Sequence, residues 1–172
     1  GEDLGMIPAT VPQVMDDLRI LSLEIQRMPK SVEETFAHPA NYPYLSVCTT
    51  STHDMNPIRA WWEEDRQVTN DFWQMILGNQ GEAPYFCEPW ICRQILEQHV
   101  WSPAMLTILP LQDWLSMDAQ LRREDPNAER INVPANSRHY WRYRMHLTLE
   151  QLAAADEFNQ ALTDMIAASG RC

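Results

Sequence analysis

The side chains able to do acid–base or polar-binding chemistry gather in a few short clusters. Ser51-Thr52-His53-Asp54 follows the run Tyr44 to Thr50 and precedes Asn56-Pro57 and a tryptophan-rich helical pattern. Pro110-Leu111-Gln112-Asp113 follows the apolar run Ala104 to Leu109, and Glu2 and Asp3 stand at the head of a loop, Gly1 to Ala9. Carboxylates and an imidazole just past the carboxyl end of a strand are how α/β proteins build a site. A plainer alternative stands beside this one: Asp54 caps the helix that follows, and His53 is an ordinary loop histidine.

The elements that must hold these groups alternate. Thr10-Val-Pro-Gln13 has the composition of a helix start, with a Thr cap, proline in the first turn and Gln three residues on. Leu21 to Gln26 alternates apolar and polar, the period of a strand with two unlike faces. Met28 to Tyr42 is an irregular connection. Pro57 to Leu77 suits one bent helix or two shorter ones. The next helix starts at Pro89 and lays Ile91, Ile95, Leu96 and Val100 on one stripe. Ala104 to Leu109 is nearly all apolar, as in a strand covered on both faces, and Asp118 to Glu129 is charged, as in a surface excursion. A loop, Ile131 to Asn136, leads into the aromatic and basic run His139 to Arg144. Thr148-Leu-Glu-Gln151 opens a closing helix whose predicted buried stripe is Leu149, Leu152, Leu162, Met165 and Ile166, with Gly170 at its end. Strands alternating with helices predict parallel βα units.

The 172 residues suffice for one domain with a sizeable core. A formal net charge of −11, with a pI near 4.7, argues against a nucleic-acid partner and against an anionic membrane surface. The apolar runs are too short to cross a bilayer. Cys48, Cys87, Cys92 and Cys172 include no C-x-x-C pair, so free thiols in a reducing cytosol are expected, with Cys48 in the core. Neither a cofactor nor a metal is called for. The chain opens at Gly1 without an initiator methionine and reads as a piece of something longer.

Four motifs in order, Gly1-Glu-Asp-Leu-Gly5, Thr52-His-Asp54, Leu109-Pro-Leu-Gln-Asp113, and Arg130-Ile-Asn-Val-Pro-Ala-Asn136 running into Tyr140-Trp-Arg142, resemble the 4-alpha-glucanotransferases of glycoside hydrolase family 77 (disproportionating enzymes, amylomaltases). Ile20 to Met28 is closest to the longer type that uses maltose and acts on branched heteroglycans. The resemblance implies an α/β fold, the carboxyl-terminal part of a (β/α)8 barrel with about three parallel strands here. An incomplete barrel leaves open edges, through which self-association is expected.

By the same resemblance Glu2 matches the general acid/base and Asp54 the carboxylate that stabilises the transition state. His53 matches a residue that holds sugar hydroxyls. Gln112, Asp113, Asn136 and Trp141 are further candidates for contact with maltose, maltooligosaccharide or branched α-glucan. Gln112 and Asp113 serve equally well as supports for neighbouring loops, and Trp141 and Arg142 as structure. Trp61 and Trp62 fit a core better than a sugar platform. Retaining transfer needs a nucleophilic carboxylate with an acid/base about 5–5.5 Å away. The family's nucleophile lies in an Arg-x-Asp-His context that this chain lacks, so the chain alone is expected to be inactive. A non-catalytic glycan-binding or interaction module is the competing expectation.

Overall fold

The alternation at Leu21 to Gln26 yields strand β1 (Ser22–Ile25), which pairs in parallel with β2 (Ser46–Thr49). β2 in turn pairs in parallel with a short β3 (Leu106–Thr107), giving one sheet in the order β1-β2-β3. This computed structural model describes residues 1–5 and 7–171, so Cys172 lies outside the described residues. Glu24 pairs with Cys48, and Cys48 with Thr107, so these side chains share one face. That face meets helix α4 (Pro89–Val100) and the turn after it. The Cys48 Sγ lies 3.4 Å from Ser102 Oγ and 3.2 Å from Thr107 Oγ1, and Gln26 Nε2 donates to Gln98 Oε1 at 2.8 Å.

Before the sheet stands helix α1 (Val11–Asp17); between β2 and α4 lie α2 (Ile58–Trp62) and α3 (Arg66–Met75). Two helices thus fill the stretch from Pro57 to Leu77. Asp65 starts the second by accepting from the amides of Gln67 and Val68, which satisfies donors that a helix start leaves orphaned. The core packs these helices against α4. Trp62, Phe72, Ile91 and Leu96 are at most 1% exposed, and each such burial contributes about 1.5–3 kcal/mol. Phe36, Trp61, Trp62, Phe72 and Trp73 stack edge to face, with centroids 5.1–6.5 Å apart. Trp62 is core, and Trp61 packs against it half-buried.

After β3 come α5 (Leu111–Leu115), a 3₁₀ turn Pro126–Glu129, α6 (Leu149–Ala153) and α7 (Asp156–Ala168). Several expectations need correction. The closing helix is two helices, and of its expected stripe only Met165 is buried, joined by Phe158, while Leu149 is exposed. The run Ala104 to Leu109 is not covered on both faces: Leu106 and Ile108 are exposed, because β3 is the sheet's last strand and its second face has no layer over it among the described residues. Thr10 makes no capping bond, its backbone being helical rather than extended, and Gln13 instead donates to Asp17. Glu129, in the charged stretch read as surface, is 1% exposed. None of the helices is long and apolar enough to cross a membrane among the described residues.

Candidate active site

Beyond β2 the chain carries Thr50 to Pro57 as a loop, held from both sides by charged groups on neighbouring segments. From just past β1, Arg27 donates through Nη2 to Thr50 O (2.8 Å), Ser51 Oγ (2.7 Å) and Asn56 O (2.9 Å). Its guanidinium lies 4.9 Å from the Trp61 ring centroid, an attractive cation–π placement. Burial pulls the Arg27 pKa down to about 10, opposed by Asp113 and Glu64, so the group stays cationic at neutral pH. From α5, Asp113 accepts at Oδ2 from Thr50 Oγ1 (2.6 Å) and Ser51 Oγ (2.7 Å), and at Oδ1 from the Ile58 amide (2.8 Å). Asp113 is fully buried. Its oxygens face the root of the loop and the start of α2, so it sits behind the loop.

On this clamped base the loop presents His53 and Asp54, both about half exposed, with His53 Nε2 3.5 Å from Asp54 Oδ1. A segment far along the chain closes over them. Asn132 Nδ2 donates to Asp54 Oδ1 at 2.6 Å, and the Asn132 amide donates to His53 O at 3.1 Å. Trp141, exposed, tilts against the His53 ring at 4.9 Å. A carboxylate, an imidazole and an indole face therefore meet at one open spot. That combination suits a pyranose, with hydroxyls for the polar groups and an apolar ring face for the indole.

The other candidates fall at varying removes. Gln112 is 6% exposed and lies beneath the loop, donating to Glu129 O at 3.4 Å. It lines a cavity of about 30 Å³ with Thr52, His53, Glu129 and Ile131. Asn136 is exposed and uses its Oδ1 to accept the Arg138 amide at 3.0 Å, closing a turn. Glu2 is exposed and runs along the edge of β1 away from β2, between Gly1, whose nitrogen donates to Leu21 O (2.6 Å), and Asp3. Asp3, buried, accepts from the Leu23 amide and pairs with Lys30, which also pairs with Glu24, both at 2.7 Å. Glu2 thus stands level with the start of β1, whereas Asp54 lies past the carboxyl end of β2, and no hydrogen bond joins the two among the described residues.

Three contributors escaped the reading of the sequence: Arg27, Asn132 and Glu129. Asn132 lies inside the motif Arg130 to Asn136, but nothing in the letters says which asparagine turns toward Asp54. Neither oxygen of Glu129 has a hydrogen-bond partner among the described residues. Burial pushes its pKa up to about 7, with Arg59 opposing and Asp113 adding to the rise.

The comparisons with known proteins agree with one another. The profile of the 4-alpha-glucanotransferase family matches residues 1–149. The 4-alpha-glucanotransferase DPE2 of Oryza sativa subsp. japonica is 40% identical over 171 residues, 99% of this chain and 18% of the relative. That of Chlamydia muridarum is 31% identical over 168 residues, 96% of this chain and 31% of the relative. Among solved structures, amylomaltase from Streptococcus agalactiae in complex with acarbose superposes with a TM-score of 0.70 at 18% identity, over 98% of this chain and 31% of that one. The chain spans less than a third of the length of these proteins, and it belongs to the 4-alpha-glucanotransferase family, glycoside hydrolase family 77.

Proposed function

We propose that the protein containing this chain transfers α-1,4-glucan or glucosyl units from maltose or a maltodextrin to an acceptor glucan, by a retaining double displacement. The observation that carries this is the Asp54 loop, pinned by Arg27 and Asp113 and roofed by Asn132 and Trp141, within a chain of this family. In that role Asp54 stays ionised, balances the positive charge growing on the ring and grips hydroxyls, with His53 beside it. Glu2 donates a proton to the departing oxygen and then removes one from the acceptor hydroxyl. The three parallel strands are read as successive strands of an eight-stranded barrel, with the Asp54 loop at its carboxyl-terminal mouth. The nucleophile belongs to a segment this chain lacks, so the chain alone is inactive. The setting is cytoplasmic, the partner a neutral glucan, and the open edges of β1 and β3 favour self-association of the isolated chain.

The test has two arms. Incubated with maltose and a glucan acceptor, the chain alone is expected to release no glucose, and release would overturn the inactivity reading. In the longer protein, Asp54→Asn is expected to abolish transfer while leaving the fold intact, and wild-type transfer by that variant would remove Asp54 from the mechanism.

A further inference from the structure

Six arginines and only three carboxylates fall between Arg122 and Arg144, in a chain whose net charge is −11. The structure gathers four of those arginines, Arg123, Arg130, Arg142 and Arg144, around one open groove of about 340 Å³, together with His139 and Tyr143. None of the four forms an ion pair with a carboxylate among the described residues. Two are fixed by backbone: Arg123 donates to Ala128 O (2.7 Å) and Arg144 O (3.2 Å), and Arg130 to Asn132 O (2.9 Å). The Arg142 guanidinium lies over the Tyr140 ring, 4.9 Å from its centroid. The three nearby acids do not line the groove: Glu129 is buried, Asp125 caps the 3₁₀ turn Pro126–Glu129, and Glu124 is exposed and forms no ion pair among the described residues.

We infer that this groove binds a phosphate monoester dianion, carried by a phosphorylated sugar or supplied as free phosphate. Four guanidiniums lining one groove without ion-pair partners repel one another, buried Glu129 offsetting only Arg123, and an anion with three equivalent oxygens relieves that repulsion. Guanidinium forks match phosphate oxygens two at a time, and the Tyr143 hydroxyl adds a donor, while His139 spends its Nε2 on Ile131 O at 2.8 Å. The backbone bonds that hold Arg123 and Arg130 use only some of the N–H groups of each. The inference adds an anion site next to the glucan site and does not rest on the transfer reaction.

Calorimetric titration of the full chain at low ionic strength decides it, with inorganic phosphate, glucose 6-phosphate and glucose as probes. The two phosphate-bearing probes are expected to bind and glucose is not. The double variant Arg142→Gln/Arg144→Gln is expected to weaken phosphate binding about a hundredfold, each lost charge-assisted contact being worth about tenfold. Glucose 6-phosphate binding well ahead of inorganic phosphate assigns the groove to phosphorylated sugar, and equal affinities assign it to free phosphate. No binding by either probe, or equal binding by the double variant, overturns the inference. If the glutamine pair unfolds, phosphate must instead protect Arg142 and Arg144 of the unmodified sequence from phenylglyoxal. Equal labelling with and without phosphate is then the overturning result. Because the readout is binding, its failure leaves the transferase reading untouched.

Discussion

Replacing Asp113 by alanine tests whether the loop that carries His53 and Asp54 is held from below. The side chain is fully buried and accepts three hydrogen bonds, at 2.6, 2.7 and 2.8 Å. Bonds to a charged acceptor are each worth about 1.5–3 kcal/mol, but the three are not additive. The hydroxyls of Thr50 and Ser51 can rotate toward other acceptors, whereas the Ile58 amide, at the first turn of α2, has no helical partner to fall back on. The change also leaves Arg27 facing the loop without its largest opposing charge, and stranding a buried charge of that kind costs about 3–5 kcal/mol. Taken together, Asp113→Ala is expected to destabilise by about 4 kcal/mol, a large share of the 5–15 kcal/mol typical of a domain.

Urea unfolding measures this directly. With a slope of about 2 kcal/mol per molar, the midpoint should fall by about 2 M. Asp113→Asn, which preserves shape and one acceptor, should fall about half as far. In a double-mutant cycle with Arg27→Gln, the two losses should be markedly less than additive, since both residues brace the same loop. An unchanged midpoint in Asp113→Ala, combined with weaker glucan binding, would refute the bracing argument and return Asp113 to the role of a sugar contact.

Other consequences follow from individual side chains. Glu129 titrates at about 7 when folded, against an ordinary value near 4.5. The folded state therefore holds an extra proton between those values, so stability is fully present below about pH 4.5 and is lost as pH rises through 7. Glu129→Gln should flatten that fall, about 3 kcal/mol in size, in urea midpoints taken from pH 4.5 to 8. Asn132→Ala removes the 2.6 Å bond to Asp54. In the longer protein kcat should drop roughly ten- to hundredfold through misplacement of the carboxylate, with little change in thermal midpoint because the pair is exposed. Trp62→Ala empties a wholly buried site and frees Pro84 O from its 2.9 Å bond. It should cost about 3–5 kcal/mol, again read from the urea midpoint.

What could be read from the sequence was whatever depends on period. Leu23 and Ile25 alternate with polar residues and fall in β1, and Ile91, Ile95, Leu96 and Val100 recur at helical spacing and become the buried stripe of α4. Direction was not legible. A carboxylate just past a strand looks the same in the letters whether it opens into the mouth, like Asp54, or turns back under it, like Asp113. The deciding partner of Asp113 Oδ2, Thr50, is 63 positions away. Glu129 was hidden for the same reason. Its neighbours Glu124, Asp125 and Arg130 mark a solvated stretch, and only the packing of the 3₁₀ turn against α2 draws its carboxyl inside.

Even a local signal can fail when its backbone is set by something else, and this chain holds the comparison within itself. Thr10 and Thr148 both open a Thr-x-x-Gln pattern. Thr148 is extended, with φ −79° and ψ 163°, and forms the reciprocal box with Gln151. Thr10 has φ −82° and ψ −17° and caps nothing. The difference lies just upstream, where the Val11 amide bonds back to Pro8 O at 2.9 Å. That turn curls Thr10 into the helical region and carries its hydroxyl away from the amides it would have to reach. Four letters state which groups are present, and the preceding turn determines whether they can face each other.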